Sequence, residues 1–439
     1  MGCRLACVGW CTLAWSAALD YHGIIMDAGS TGSRTWVFAW SPVRCQTNEP
    51  VPMVTPRVVA SRALPWGLKA GGTRLNETLQ EMLAFAEETL IKRKADWPGF
   101  PVYFFATAGF RRMRPEQREG VLQSVRATLA ESSFHAEPDF VRILSGEEEG
   151  AYGWLSVNSD MGSLATADSV GVLDLGGASM QITFVPEDAR SVLQHSFPVN
   201  LQGRQSNLYS ASYLQFGLRE AQRLLQRALI GKALVAETTE LLEHPCLPRG
   251  SNFSELLIGV GDEEVNTESP LKATWHGKGL YEDCADKLTE LFDKTAPCYL
   301  PACTFNGRYQ PTLGSRRFVA FSAFSYVVNS LGLPADTTAL EDIENAARYV
   351  CKMDWDMLRE RWQRLDEQAL QSLCFSAVYI VVLLHNGLGF DKKSQQIVFV
   401  PQGNISWAKG AIIWEANSRF SQHQPLCMEN AGTCSNEDL

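Results

Sequence analysis

Gly171-Val-Leu-Asp174-Leu-Gly176-Gly177-Ala178-Ser179-Met-Gln181-Ile-Thr-Phe-Val185 decides the fold, because an earlier stretch has the same plan. That stretch is Gly23-Ile-Ile-Met-Asp27-Ala-Gly29-Ser30-Thr31-Gly32-Ser33-Arg34-Thr-Trp-Val-Phe-Ala-Trp40. Each is a short apolar run, an Asp, a Gly/Ser-rich turn and an alternating segment, so each predicts a β-hairpin whose turn carries the Asp and the glycines. Glycine permits close backbone approach, so consecutive N–H groups can point at an anion. The Asp at the strand end can hold a cation or a water. A single turn of this kind is most often only a hairpin. Two copies facing each other would straddle a chain of phosphates with its metal ion.

Between the copies, strands alternate with helices. Apolar residues recur at helical spacing over Thr73 to Lys94 and predict a helix there. A strand, Pro101–Ala106, runs into Thr107-Ala-Gly-Phe-Arg111, and a helix over Pro115–Glu131 follows. The strand Phe140–Leu144 ends at Ser145-Gly-Glu147-Glu148-Glu149-Gly150, with a helix expected to begin near Ala151. These motifs fall at the C-terminal ends of strands, where α/β folds place ligands. After the second hairpin come a helical region (Leu214 to Leu242), a cysteine-bearing loop region to about Arg317, and Phe318–Val328, which reads equally as strand or helix. Trp407–Trp414 is expected to be a helix returning to the first lobe. The expected lobes are 19–146 with 404–439, and 147–403.

The 439 residues, 45% hydrophobic and 20% charged, suit a globular chain of two or more domains. The net charge of −10 argues against a nucleic-acid partner, whose phosphates call for a basic surface. Residues 1–18 read as an export leader: Arg4, an apolar stretch from Leu5 to Leu19, and small residues at Ser16-Ala-Ala18. That stretch is shorter than the ~20 residues a membrane span needs, and no later segment is expected to span, Tyr379–Leu384 having core length. Of twelve cysteines, three would leave with the leader. Those remaining suggest disulfides. Cys298/Cys303 and Cys427/Cys434 can close local loops, Cys351/Cys374 can clamp two helices, and Cys45 is the expected free thiol. The sequons at Asn76, Asn252 and Asn404 fit a secretory route.

Read together, the turns resemble the apyrase, or nucleoside triphosphate diphosphohydrolase, family. Five motifs in order carry the likeness: Asp27–Arg34, Ala106–Arg111, Leu144–Trp154, Asp174–Gln181 and Phe321–Tyr326. The Cys-x4-Cys and Phe-Asn-Gly element, Cys298 to Gly307, adds to them. The resemblance implies an α/β fold of the actin/sugar-kinase/heat-shock ATPase-like superfamily, with two related lobes around a nucleotide cleft. It also implies removal of terminal phosphates from nucleoside tri- and diphosphates with Ca2+ or Mg2+; the leader, cysteines and sequons point to a protein secreted or held in the secretory lumen.

Phosphoryl transfer to water needs charge neutralisation and an aligned nucleophile. Ser30, Thr31, Gly32, Ser33 and Arg34 on one turn, and Gly176, Gly177, Ala178 and Ser179 on the other, are the expected phosphate cradle. Thr107 and Arg111 are expected to line it. Asp27 and Asp174 are expected to hold the cation largely through its waters. Glu149, directly before Gly150, is the expected base, with Glu148 second, and Ser179 and Gln181 position the water. The bland alternative is that three successive acids merely start a helix. Tyr326 matches one base-stacking aromatic of the cell-surface members. Leu373 stands where the second aromatic would be, with Phe375 nearby, and this departure weakens base selectivity. The first turn carries Thr-Gly-Ser-Arg in the manner of soluble, Golgi and plant members, whereas Glu-Glu-Gly with Tyr-Gly-Trp matches cell-surface members. Rival readings are a kinase of the same fold, a polyphosphate or guanosine-tetraphosphate phosphatase, and an exported nucleotide-binding protein without turnover.

Overall fold

The structure is a computed structural model. It describes residues 20–29, 32–41, 53–64, 73–164, 168–188, 192–201, 204–235, 242–257, 271–401, 403 and 405–418. The expected leader, Ser30, Thr31, Cys45, Asn404, Cys427 and Cys434 lie outside these residues.

The first unit comprises the described residues as far as Leu144, with Val199–Gln205 and those from Ala408. It opens with the hairpin β1 (Tyr21–Ala28) and β2 (Ser33–Trp40), then β3 (Arg57–Leu64), α1 (Thr73–Thr89), β4 (Val102–Ala106), α2 (Ala108–Arg111), α3 (Pro115–Ala130) and β5 (Val141–Ile143). Its sheet order is β3-β2-β1-β4-β5. Gly23 to Met26 of β1 are buried because the strand lies between β2 and β4, and a strand covered on both faces reads as a continuous apolar run. α1 stops at Thr89, short of the expected Lys94; Ile91–Gly99 tightens into a 3₁₀ segment that carries Pro98.

The second unit spans Ser145–Pro198 and Ser206–Trp407. In chain order its elements are α4 (Gly146–Asp160), β6 (Gly171–Leu175), β7 (Ser179–Phe184), β8 (Ser196–Leu201), β9 (Arg204–Leu214), α5 (Leu218–Val235), β10 (Leu242–His244), β11 (Asn252–Leu257) and β12 (Leu271–Gly277). They continue with α6 (Tyr281–Thr289), β13 (Phe318–Ser322), α7 (Ala323–Ser330), α8 (Leu340–Cys351), α9 (Trp355–Arg361), α10 (Glu367–Val381), β14 (Ile397–Phe399) and α11 (Trp407–Ser418). From Ala408 onward α11 belongs to the first unit, where Asn417 pairs through its amide with both backbone groups of Val54.

The main sheet of this unit runs β8-β9-β7-β6-β13-β14. Apart from the added β8, that is the first sheet again: an antiparallel hairpin, a third antiparallel strand beside it, and two parallel strands on the other flank. The two units are therefore related α/β folds, as the duplicated hairpin implied.

Three features differ from what the sequence suggests. The stretch to Arg317 is more than loop: it holds α6 and a separate small sheet, β10-β12-β11. Phe318–Val328 is strand and helix in succession, divided at Ser322. Glu367–Gly387, α10 with its terminal π-turn, is long and apolar enough to cross a membrane by length and composition, contrary to the expectation that no later segment is. Some 72% of its apolar window is buried within the protein, as in a core helix. Phe375 stacks on Tyr379 inside it, with ring centroids 5.7 Å apart. Among the described residues the disulfides are Cys246–Cys284, Cys298–Cys303 and Cys351–Cys374; the first pairing is not evident from the spacing of the cysteines.

Candidate active site

The two hairpins share one geometry. In the first, Gly29 N–H donates to the Gly32 carbonyl at 3.0 Å, and Asp27 lies opposite Arg34 on β2 and Phe105 on β4. In the second, Gly176 N–H donates to the Ser179 carbonyl at 3.0 Å, and Asp174 lies opposite Gln181 and Phe321. Each Asp sits two residues before the closing glycine. The copies differ in what faces the Asp, an arginine in one and an amide in the other.

Within the first unit, the Arg34 guanidinium lies 5.3 Å from the Trp36 ring centroid. Thr107, directly after β4, is buried, its N–H on the Ala28 carbonyl at 3.2 Å, and its own carbonyl accepts from Phe110 and Arg111. Arg111 Nη1 donates to the Leu144 carbonyl at 2.9 Å. Thr107 is thereby fixed against the last residue of β1, and Arg111 ties α2 to the end of β5.

In the second unit, the start of α5 grips the hairpin turn. Leu218 N–H bonds the Gly176 carbonyl, Arg219 and Glu220 N–H bond that of Gly177, and Gln215 N–H bonds that of Ala178. The N–H of a trans peptide points opposite to its carbonyl, so the N–H groups of Gly177, Ala178 and Ser179 face away from α5. Successive N–H groups facing one way are the kind of backbone arrangement that can cradle an anion. Gly217 permits the grip: a Cβ there would lie 2.4 Å from the nitrogens of both Ala178 and Ser179. Gly217 belongs to no motif, so nothing in the sequence marks it.

Beside the cradle, α4 lies directly on the sheet. A Cβ on Gly146 would meet Ser212 at 2.2 Å and one on Gly150 would meet Thr183 at 2.4 Å. α4 begins earlier than expected, at Gly146, because Ser145 caps it. Ser145 Oγ accepts from Glu148 N–H at 3.0 Å, and the Glu148 carboxylate accepts from Ser145 N–H at 2.9 Å. The three acids thus start a helix and have separate placements. Glu148 closes the capping box. Glu147 pairs with His195 at 3.4 Å, which, with Arg308, holds its carboxyl below the usual range despite burial. Glu149 shares the helix face of Gly146, Gly150 and Gly153 and is buried against the sheet, its Oε2 3.2 Å from Gln181 Nε2. Gln181 Nε2 also lies 2.8 Å from Ser179 Oγ and 3.1 Å from Ser212 Oγ, while Gln181 Oε1 is buried without a partner among the described residues.

Asp174 completes the cluster. Burial and the Glu149 charge push its carboxyl up to about 7, opposed by a hydrogen bond from Ser322. Ser322 stands at φ 59° and ψ −124° where β13 turns into α7. It is not among the candidates read from the sequence, because a serine announces no unusual backbone. Such a conformation in a non-glycine residue is strained and held by its surroundings. The structure therefore brings together Asp174, Glu149, Ser179 and Gln181 in the second unit, and adds Ser212 and Ser322. A divalent cation fits these donors: two buried carboxylates repel each other beside hydroxyl oxygens, a hard oxygen set. No cluster of three or more His, Cys, Asp or Glu that could hold a metal ion exists among the described residues.

Tyr326 lies half-buried on α7, packed on the core, while Leu373 and Phe375 are buried inside. Neither Leu373 nor Phe375 is placed to face a base.

Residues 16–427 match the model of the GDA1/CD39 (nucleoside phosphatase) family. Among curated proteins, the chain is 31% identical to the probable apyrase 6 of Arabidopsis thaliana over 92% of its own length and 73% of that protein's. It is 28% identical to ectonucleoside triphosphate diphosphohydrolase 1 of Bos taurus, covering 92% and 82%. Among solved structures, it superposes on nucleoside triphosphate hydrolases from Neospora caninum with TM-score 0.66 at 18% identity, over 90% of this chain and 92% of that one.

Proposed function

The chain belongs to the GDA1/CD39 (nucleoside phosphatase) family, and from that premise we propose that it hydrolyses the terminal phosphates of nucleoside tri- and diphosphates in the presence of Ca2+ or Mg2+. The observation that carries the reading is the buried group Glu149, Gln181 and Ser179 at the edge of the Gly177–Ser179 backbone cradle.

The steps follow from these residues. The Gly177, Ala178 and Ser179 N–H groups hold phosphoryl oxygens, and the turn Ser30–Ser33, with Arg34, Thr107 and Arg111, serves the same end on the first unit. Glu149 takes a proton from the attacking water. Gln181 and Ser179 Oγ, both beside Glu149, position that water. The hairpin Asp of each unit, Asp174 in the second and Asp27 in the first, would hold a divalent cation through its waters, and such a cation would neutralise charge on the phosphates. Ser322 holds the Asp174 carboxylate in place.

Tyr326 offers one face to a base, and the missing second aromatic makes selectivity among bases weak. The disulfides call for an oxidising compartment; with the apolar leader they support a secreted or lumenal protein.

Phosphate release from ATP, ADP, UDP, GDP, AMP and polyphosphate, with Ca2+, Mg2+ or chelator, tests the reading. Turnover of tri- or diphosphates but not AMP, lost with chelator and with Glu149→Gln, is expected. Nucleotide binding without release would sink it in favour of a sequestering protein, and turnover of polyphosphate alone would favour the polyphosphatase reading.

A further inference from the structure

One hydroxyl beneath Glu149 has no part in the chemistry just described. Gln181 is 1% exposed, and its Nε2 lies within hydrogen-bond reach of Ser179 Oγ (2.8 Å), Ser212 Oγ (3.1 Å) and Glu149 Oε2 (3.2 Å). A side-chain amide carries two N–H donors, so three oxygens share two hydrogens. Two of those oxygens change role during hydrolysis. Glu149 gains the water's proton and stops being an anionic acceptor, and Ser179 turns toward the water. Ser212 does neither.

Ser212 is also held firmly. Its Cβ and Oγ occupy the space that a side chain on Gly146 would need, 2.2 and 2.3 Å from the built Cβ. Its backbone carbonyl accepts a hydrogen bond from Arg308 Nη1. The Arg308 guanidinium lies 4.6 Å from the centroid of the next ring along, Tyr213, whose hydroxyl bonds Thr304 at 2.8 Å. Two segments distant in sequence thus fix this serine of β9: α4 and the segment after the Cys298–Cys303 bridge.

We infer that Ser212 is a positioning residue for the hydrolysis, acting through Gln181. Its hydroxyl restrains the last torsion of the amide, keeping Gln181 beside Glu149 throughout the cycle. Rotation about the last torsion of glutamine is broad and two-fold. While Glu149 is ionised, its carboxylate can only accept, which opposes a flipped amide. Once Glu149 is protonated that opposition disappears, and the Ser212 hydroxyl is what still holds the amide in its plane for the next turnover. The inference rests on the roles proposed above for Glu149 and Gln181.

A double-mutant cycle in the full chain tests it. Ser212→Ala, Gln181→Ala and the pair are compared with wild type for kcat, KM and Tm, using the nucleotide that wild type turns over fastest. Ser212→Ala is expected to lower kcat about tenfold, equivalent to ~1.4 kcal/mol, with KM within about twofold and Tm near that of wild type. In the Gln181→Ala background the same change should have no further effect on kcat, because the group it orients is gone. An unchanged kcat in Ser212→Ala overturns the inference, as does an equal loss in both backgrounds or a loss confined to KM or Tm. A wild type that releases no phosphate overturns the proposed function and this inference with it. An active wild type with an indifferent Ser212 overturns the inference alone.

Discussion

Gly217→Ala measures how tightly the phosphate cradle is made. The added Cβ would stand 2.4 Å from Ala178 N and Ser179 N and 2.5 Å from Gly177 C, all backbone atoms of the cradle. Ordinary contact begins near 3.4 Å, so the turn or the start of α5 must give way by about 1 Å. Overpacking of this kind costs ~1–3 kcal/mol. Misplacement of reacting groups by about 1 Å costs up to ~100-fold in rate. The variant should therefore lose roughly 30- to 100-fold in kcat/KM, and melt a few degrees lower. Gly231→Ala is the internal control on the same helix. Nothing lies within 4 Å of a Cβ there, and a helix-interior alanine stabilises by ~0.5–1 kcal/mol over glycine. Its activity should match wild type and its Tm should rise. Steady-state phosphate release and thermal melting report both effects. If Gly217→Ala melts lower yet keeps kcat/KM within about twofold, the turn moves without consequence and does not cradle phosphate.

Three further outcomes are expected. Glu149→Gln should lower kcat by ~100- to 10,000-fold, the usual loss of a general base, while Glu148→Ala should cost chiefly the capping box, ~1 kcal/mol by thermal melting; comparable kcat losses in the two would contradict the assignment. Burial depresses the His244 imidazole to about 4 from 6.5, so its contribution to stability is present above pH 6.5 and is lost as pH falls toward 4. The loss is on the order of 3 kcal/mol; denaturant titrations of wild type and His244→Asn across that window should converge toward acid pH. Replacing both Cys351 and Cys374 by alanine opens a loop with a sequence separation of 23 and should destabilise by about 3 kcal/mol, read as a lower midpoint under non-reducing conditions.

The hairpins were legible because their information is local. Alternation, an Asp and turn glycines suffice to specify two strands and the bend between them, and repetition specified a second, related unit. The strand-to-helix change at Ser322 was not legible, since Phe318–Val328 is apolar throughout and its periodicity fits either element. The small sheet β10-β12-β11 escaped notice because its strands are short and separated, and their pairing is settled by contacts between them.

For the site, the sequence by itself determined which residue types stand at the ends of β1, β4, β5 and β6. It also contained, unread, the helical stripe Gly146, Glu149, Gly150 and Gly153. What it could not determine is the phase and neighbour of that stripe. Three consecutive glutamates on a helix point about 100° apart, and only one can face a given partner. Ser145 sets where the helix starts, and the glycines let α4 settle on β7 and β9, which turns Glu149 to Gln181 and leaves Glu148 to the cap and Glu147 to His195. Gln181 and His195 lie tens of residues away in the chain, so side-chain packing across the folded second unit made the choice among the three acids.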